Sequence, residues 1–494
     1  MLRRRLFSLV VAVLAVVSAT VLSLTSAFES TIRTVMAEAA LLADDSLVMG
    51  GSGLPIPPDS YVTGLTNTFI TPNFPGFTSD TAYGLVTPEG LYPLTGIKSL
   101  PLDTSVQQGL TILNNAIMNP PDATSPGYAG NDLVVLGYSQ SAVISSLEMD
   151  QLANTPGAPS ADDLHFVLLG DPMNPNGGLL ERFAGLDLPS LGLNFYGATP
   201  DSTIYPTDIY TLEYDGYADF PRYPLNLLSD LNAFAGIEYV HGTYPDLTAA
   251  QIAPVTDGGE AILLPGSAEL TGEGATNYWM IPTENLPLLN PVRDIPLIGK
   301  PIADLLQPDL TALVNLGYGD PDYGWSTAPA NVATQFGLFP SLSDFEKLPG
   351  LLVSGTQQGI EAFVKDISGG LSGLSLSSLT NPLAALDTGS AVAAASDPLG
   401  MLSNVVNALT SAAASGYATL LPTADILNAL VTSIPLYDAT LFVDAVSSGD
   451  LLGAIGDPIA ADVGLGTMAG GFELMVVVDA LQSVVGDLTS IIPF

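Results

Sequence analysis

The chain has 494 residues, 47% of them hydrophobic and only 12% charged, enough to bury a sizeable core in one large domain with extensions or in two or three domains. Lys and Arg total 11 against 50 Asp and Glu, a formal net charge of −39, which leaves too few cations to hold a phosphate backbone and argues against nucleic acid as a partner. With no Cys and two His, the chain has no thiol nucleophile, no disulfide and no thiolate or His-rich metal cluster.

Arg3, Arg4 and Arg5 precede LFSLVVAVLAVVSATVLSL, a positive n-region ahead of an uncharged apolar stretch, which is the pattern of an export signal. The stretch from Leu6 to Leu24 is roughly 19 residues, longer than a normal signal core of ~7–15 and close to a membrane span of ~20. Residues 1–28 therefore read as a signal peptide or an uncleaved signal anchor, with small-residue cleavage sites near Ala27 and over Ala37, Glu38 and Ala39. Either way the positive-inside rule predicts that the rest of the chain is exported, held at the cell membrane or released to the wall or medium.

From Ser46, SLVMGGSGLPIPP reads as a strand ending in a Gly-rich loop. Up to Pro340, apolar runs alternate with loops rich in Pro, Asp, Asn, Tyr and Gly. Strands are predicted over Leu47–Met49, Leu133–Leu136, Leu164–Leu169 and Ile209–Tyr214, with helices over Ala142–Leu152 and Leu225–Phe234. Alternating strands and helices predict an α/β fold, a mostly parallel sheet flanked by helices, over residues 44–340.

The most informative segment is LVVLGYSQSAVISSLEMDQL. A short buried strand, a tight turn through Gly137, Tyr138, Ser139, Gln140 and Ser141, and a helix from Ala142 make the nucleophile-elbow arrangement of the α/β-hydrolases. The elbow needs a small residue at Gly137, where strand and helix pass close, and a compact one at Ser141. Gly373, Leu374, Ser375, Leu376 and Ser377 repeat the Gly-x-Ser-x-Ser string, but with no strand before them, so context selects Ser139.

A Ser hydroxyl needs a base, almost always His, oriented by a carboxylate. His165, one residue into a predicted strand, falls about four residues short of the sheet's carboxyl edge, ~13 Å at ~3.3 Å per residue, and reads as structural. His241, in EYVHGTYPD, lies in a loop and is the expected base. The acid should follow a later strand and precede the His. IYTLEYDGYADFPRYP offers Asp215 at the strand end and Asp219 beyond the turn at Gly216; the shaped loop favours Asp219, with Asp215 as the alternative. The oxyanion hole is expected from the N–H of Gln140 and from the loop holding Gly51 and Ser52.

After Pro340 the composition shifts: from Ile367 to Phe494 there is no Lys, Arg or His, and Ala, Leu, Ser, Gly and Val dominate. Met401–Leu409, Ala424–Val431 and Ala439–Val446 have helical apolar spacing. Recurring Asp and Glu keep every run below ~18 apolar residues, so no second membrane span is predicted. Residues 341–494 read as a low-complexity helical extension packing on itself or on the domain, the alternative being a surface module for lipid or cell-wall material. GDPDYG lacks the spacing of a calcium loop, no phosphate- or dinucleotide-binding glycine pattern follows a strand, and no cofactor or metal is expected.

VMGGSGLPIP, GYSQS, LLGDPMNPNGG, EYDGYADFPRYPLNLLSDLNAFAGIEYVHGTY and LVNLGYGDPDYG together resemble the PE-PPE domain of mycobacterial proteins, a serine hydrolase family similar to cutinases, over about Ser46 to Leu338. The resemblance implies a Ser–Asp–His triad, which maps onto Ser139, Asp219 and His241, and esterase activity on acyl esters. It also implies a second possibility, since some members resemble acyltransferases that move fatty acyl chains between trehalose glycolipids. An export segment where many members carry a PE or PPE helical module makes the chain look like the anchored, lipid-modifying subgroup. The expected activity is an exported serine esterase or lipase acting on an acyl-ester or glycolipid substrate. Acyl transfer to a sugar hydroxyl is the first alternative, and a non-catalytic envelope or adhesion protein on a hydrolase scaffold the second.

Overall fold

The computed structural model describes residues 44–119, 132–371 and 419–489, with a few isolated positions between 407 and 414. The export segment, its cleavage sites and the Gly373–Ser377 string lie outside the described residues, as does most of Met401–Leu409.

Nine strands are described: β1 Asp45–Val48, β2 Ala82–Gly84, β3 Leu133–Tyr138, β4 Leu164–Leu169, β5 Asp187–Leu188, β6 Leu193–Asn194, β7 Thr207–Leu212, β8 Ile262–Leu263 and β9 Thr276–Ile281. Seven form one sheet in the order β2-β1-β3-β4-β7-β9-β8, parallel throughout except for the β8–β9 edge pair. β5 and β6 form a separate antiparallel pair. The central strands LVVLGY and LHFVLL are continuous apolar runs because both faces of a parallel sheet are covered.

Among the described residues, the helices of seven or more residues are α1 Asp59–Leu65, α2 Leu102–Met118, α3 Gln140–Ala153, α4 Leu227–Tyr239, α5 Gly299–Asn315, α6 Leu342–Leu371, α7 Leu420–Val431, α8 Ser433–Ser448 and α9 Leu451–Thr489. Side chains alternate across the strands. Leu47, Val135, Phe166 and Leu168 thus belong to one core with α2 and α3, while Val48, Val134, Leu136 and Val167 belong to another on the opposite face. This is the predicted α/β class with a helical C-terminal region.

β4 has the predicted bounds; β3 runs on to Tyr138, and β7 ends at Leu212, two residues before the predicted Tyr214. That early stop matters for the site, because the chain enters its turn before Asp215. β9, TNYWMI, was not among the predicted strands.

The C-terminal helices join the domain. Ala429, Ile434, Tyr437, Ala461, Leu465 and Met468 belong to the same apolar cluster as Leu168 and Phe183. α9 approaches closely because glycine faces the body: a Cβ on Gly464 would lie 2.8 Å from Phe183 Cζ and 2.9 Å from Pro224 Cβ. Asp425 anchors α7, accepting from the Tyr92 hydroxyl at 2.7 Å through its carboxylate and from the Ser190 hydroxyl at 2.8 Å through its carbonyl. By length and composition Leu420–Ser448 and Leu451–Ser483, of 29 and 33 residues, are apolar enough to cross a membrane, with mean hydropathies of 1.5 and 1.4 over an 18-residue window in each. Asp recurs within both, so no uninterrupted apolar run reaches a span's length although an 18-residue average is apolar.

Candidate active site

Ser139 follows the last residue of β3 and caps α3 with φ +59° and ψ −115°. That left-handed φ is costly for a residue with a Cβ and persists only where the surroundings hold it. Here Ser139 N–H donates to Leu169 O at 2.9 Å, and its carbonyl accepts from Ala142 N–H at 3.0 Å. Gly137 leaves room for the turn, since a Cβ there would lie 2.5 Å from Ser141 O. The Ser141 hydroxyl accepts from Tyr138 N–H at 2.8 Å and donates to Tyr138 O at 3.1 Å, closing the bend on itself.

His241 begins a short 3₁₀ segment, His241–Asp246, after α4. Its Nε2 lies 2.8 Å from Ser139 Oγ, and its Nδ1 lies 2.9 and 2.8 Å from the two carboxylate oxygens of Asp215. Tyr138 stacks on the imidazole at 5.4 Å and donates its hydroxyl to the His241 carbonyl at 2.5 Å; the Tyr217 ring meets the imidazole edge-on at 4.7 Å. Ser139, His241 and Asp215 are all buried. Asp215 also accepts from the Tyr244 hydroxyl at 2.8 Å and from Tyr217 N–H at 3.0 Å. Three donors thus converge on one buried carboxylate.

The partner of His241 is therefore Asp215, the alternative, and Asp219 does not reach the ring. The reason is local. Tyr214, at φ +67°, ends the extended chain, and the Asp215 carbonyl accepts from Ala218 N–H at 3.0 Å and Asp219 N–H at 2.6 Å, folding the loop back. Asp219 then accepts from Tyr214 N–H at 3.0 Å. Burial pushes its carboxyl well above the ordinary range, with Glu213 and Asp215 adding to the shift and Tyr214 N–H and Arg182 opposing it. A buried guanidinium holds this loop: Arg182 Nε donates to Phe220 O at 3.1 Å and Nη2 to Asn176 O at 3.2 Å. Nothing in the sequence singled out Arg182.

The expected oxyanion residues lie together at the elbow. Gln140 opens α3, so its N–H belongs to the first turn, which has no carbonyl to bond within the helix. A Cβ on Gly51 would come within 3.2 Å of Ser139 Cβ, which places that loop against Ser139. The Gln140 side chain ties the parts together: Nε2 donates to Ser52 Oγ at 3.0 Å and to Gly90 O at 2.8 Å, and Oε1 accepts from the Ser105 hydroxyl at 2.6 Å. Behind it sits buried Glu89, whose carbonyl accepts from Gly53 N–H at 2.7 Å and whose carboxyl burial pushes up to about 8. Nothing in the residues around Glu89 marked it out beforehand. His165 pairs with Val134, toward the far end of β4 from Leu169, and its ring meets Phe74 edge-on at 5.0 Å. Among the described residues no cluster of His, Asp and Glu could hold a metal ion.

A cavity of about 420 Å³ opens onto Ser139 and His241. The sequence model of the PE-PPE domain matches residues 78–319, and "Uncharacterized PPE family protein PPE28" of Mycobacterium tuberculosis is 46% identical over 474 residues, covering 93% of this chain and 69% of its own length. The chain belongs to the PE-PPE domain family. "Esterase PE16" of the same organism is 47% identical over 297 residues, 60% of this chain and 51% of its own. "Diacyltrehalose acyltransferase Chp2", also from M. tuberculosis, is 28% identical over 269 residues, 52% of this chain and 67% of its own. The chain thus spans about half to two thirds of the lengths of these relatives.

Proposed function

We propose that this PE-PPE protein is an exported serine esterase that hydrolyses acyl esters through an acyl-enzyme. The observation that carries the reading is the unbroken hydrogen-bond chain from Ser139 Oγ through His241 to Asp215. Ser139 Oγ attacks the ester carbonyl carbon while its proton passes to His241 Nε2. The N–H groups of Gln140 and of the Gly51–Ser52 loop are the donors for the resulting oxyanion. Its collapse breaks the bond to the alcohol, which leaves with the proton from Nε2. Water then gives a proton to Nε2 and attacks the acyl-enzyme; collapse of the second intermediate breaks the bond to Ser139 Oγ, which takes that proton back from Nε2 as the free acid leaves. Asp215 fixes the ring with Nδ1 protonated and stabilises the imidazolium.

The relative named an esterase supports hydrolysis. The relatives named "Diacyltrehalose acyltransferase Chp2" and "SL1278 acyltransferase Chp1" favour a second reading, in which a sugar hydroxyl replaces water at the acyl-enzyme. An envelope location fits both.

Fluorophosphonate labelling of the purified protein, with and without Ser139→Ala, tests the nucleophile. The expected result is labelling of the wild type alone; equal labelling of both overturns it. Product analysis with and without a trehalose glycolipid acceptor separates the two fates of the acyl group. Free acid as the main product in both supports the esterase reading, and predominant transfer product overturns it in favour of acyl transfer.

A further inference from the structure

One wall of the cavity beside Ser139 comes from outside the hydrolase body. We propose that the C-terminal helices α7, α8 and α9 form the acyl-chain chamber of the site, holding the long apolar chain of the substrate; this rests on the acyl-ester reading above.

The first argument is continuity. Ser139 and His241 line the same cavity as Ile426 and Ala429 of α7, Ile434 of α8, and Leu465, Met468 and Phe472 of α9. An acyl group bonded to Ser139 Oγ therefore starts in a space that these helices wall. Its volume of about 420 Å³ falls within the ~300–1,000 Å³ of small-molecule sites.

The second argument is chemistry. In a chain with 50 Asp and Glu, no Asp, Glu, Lys or Arg among the described residues lines this cavity. The lining contributed by α7 to α9 is entirely aliphatic, thioether or aromatic. Such a surface offers an ester headgroup nothing, whereas each methylene buried against it strengthens binding about fourfold.

The third argument is attachment. Phe472 stacks on Tyr217 at 6.3 Å, and Tyr217 meets His241 at 4.7 Å, so α9 is packed through one ring to the imidazole. The Asp425 hydrogen bonds to Tyr92 and Ser190 fix α7 to loops of the body, and Tyr92 is itself a lining residue. The wall is part of the site rather than a neighbour of it.

The test compares kcat/KM for p-nitrophenyl palmitate and p-nitrophenyl butyrate in the full chain. Met468→Trp fills the chamber and should lower the palmitate-to-butyrate ratio about tenfold or more, since displacing even two methylenes costs that much. Leu452→Ser, on the exposed face of α9, should leave the ratio within about twofold, surface changes of this kind being small. An unchanged ratio in Met468→Trp, with Ser139 still labelled, overturns the chamber. Ala429→Leu fills it from α7 and reads the same ratio should the first variant not fold. Binding of a fluorescent C16 fatty acid to Ser139→Ala separates the two ideas. Binding that is lost on adding Met468→Trp supports the chamber even if the esterase reading has failed, and binding that survives it overturns the chamber even if Ser139 is the nucleophile.

Discussion

Asp215 offers both carboxylate oxygens to Nδ1 of His241, at 2.9 and 2.8 Å, from a position with no exposed surface. The remaining capacity of the carboxylate is taken up by Tyr244 and the Tyr217 amide, so it has no freedom to rotate away. The ring is thereby held with Nε2 toward Ser139. Four residues on, a second buried aspartate sits in the same loop and touches no part of the ring.

Asp215→Asn and Asp219→Asn should therefore separate cleanly. An amide at 215 can donate to Nδ1 and stabilise the wrong tautomer, and kcat should fall about 10²–10⁴-fold with little change in KM. An amide at 219 retains an acceptor for Tyr214 N–H and resembles the protonated carboxyl that burial favours there. It should leave kcat/KM within about tenfold. Ester hydrolysis by the two purified variants decides; a larger loss in Asp219→Asn would reverse the assignment.

Gln140 should matter through its side chain as well as its backbone. Gln140→Ala removes the bridge among Ser52, Gly90 and Ser105 and leaves buried polar groups without partners, at about 1–3 kcal/mol of stability. With the Gly51–Ser52 loop released, kcat should fall by about tenfold or more, below the ~10²–10³ for losing an oxyanion donor outright. KM should change little. Denaturant unfolding and steady-state kinetics on one preparation measure both, and unchanged kcat would mean the loop holds its place without Gln140.

The elbow was legible because three constraints coincide in a few residues: an apolar run, Gly137 and a compact Ser141. His241 followed from scarcity, there being only two His. The acid was harder, because choosing between Asp215 and Asp219 depends on where β7 stops and on the positive φ at Tyr214, neither of which leaves a compositional mark. Arg182 and Glu89 were missed for a related reason. Each acts from burial beneath a loop, and a lone charged residue in a sequence carries no sign of burial. The contribution of α7 to α9 to the cavity was invisible too, since Leu465 and Met468 come more than three hundred residues after Ser139.

Buried acids make stability depend on pH in a definite direction. Burial raises Glu89 and Asp230 to about 8 and Glu148 and Glu213 to about 7. The unfolded values are ~3.9–4.3, so between about pH 4 and 8 the native state holds more protons than the unfolded one. Their contribution is complete below about pH 4 and is lost as pH rises through 7 to 8, on the order of a few kcal/mol for each group. Tm should be higher at pH 5 than at pH 8.5. Glu89→Gln, which stays neutral throughout, should flatten that slope. A Tm that rises toward pH 8.5 would contradict the protonation of these groups in the folded protein.

Docking of α9 can be read from one substitution made at two places on the helix. At Gly470 a Cβ would meet nothing within 4 Å, so Gly470→Ala should gain about 0.5–1 kcal/mol from helix propensity alone. At Gly464 the same methyl would press on Phe183, which is fully buried, and on Pro224, at 2.8 and 2.9 Å. Neither ring can yield without disturbing the core, and overpacking of this kind costs about 1–3 kcal/mol, more than propensity returns. Urea unfolding should therefore give shifts of opposite sign. Gly464→Ala should also expose α9 to limited proteolysis and lower the rate on long-chain esters. Shifts of the same sign would mean that α9 does not sit on Phe183 in solution.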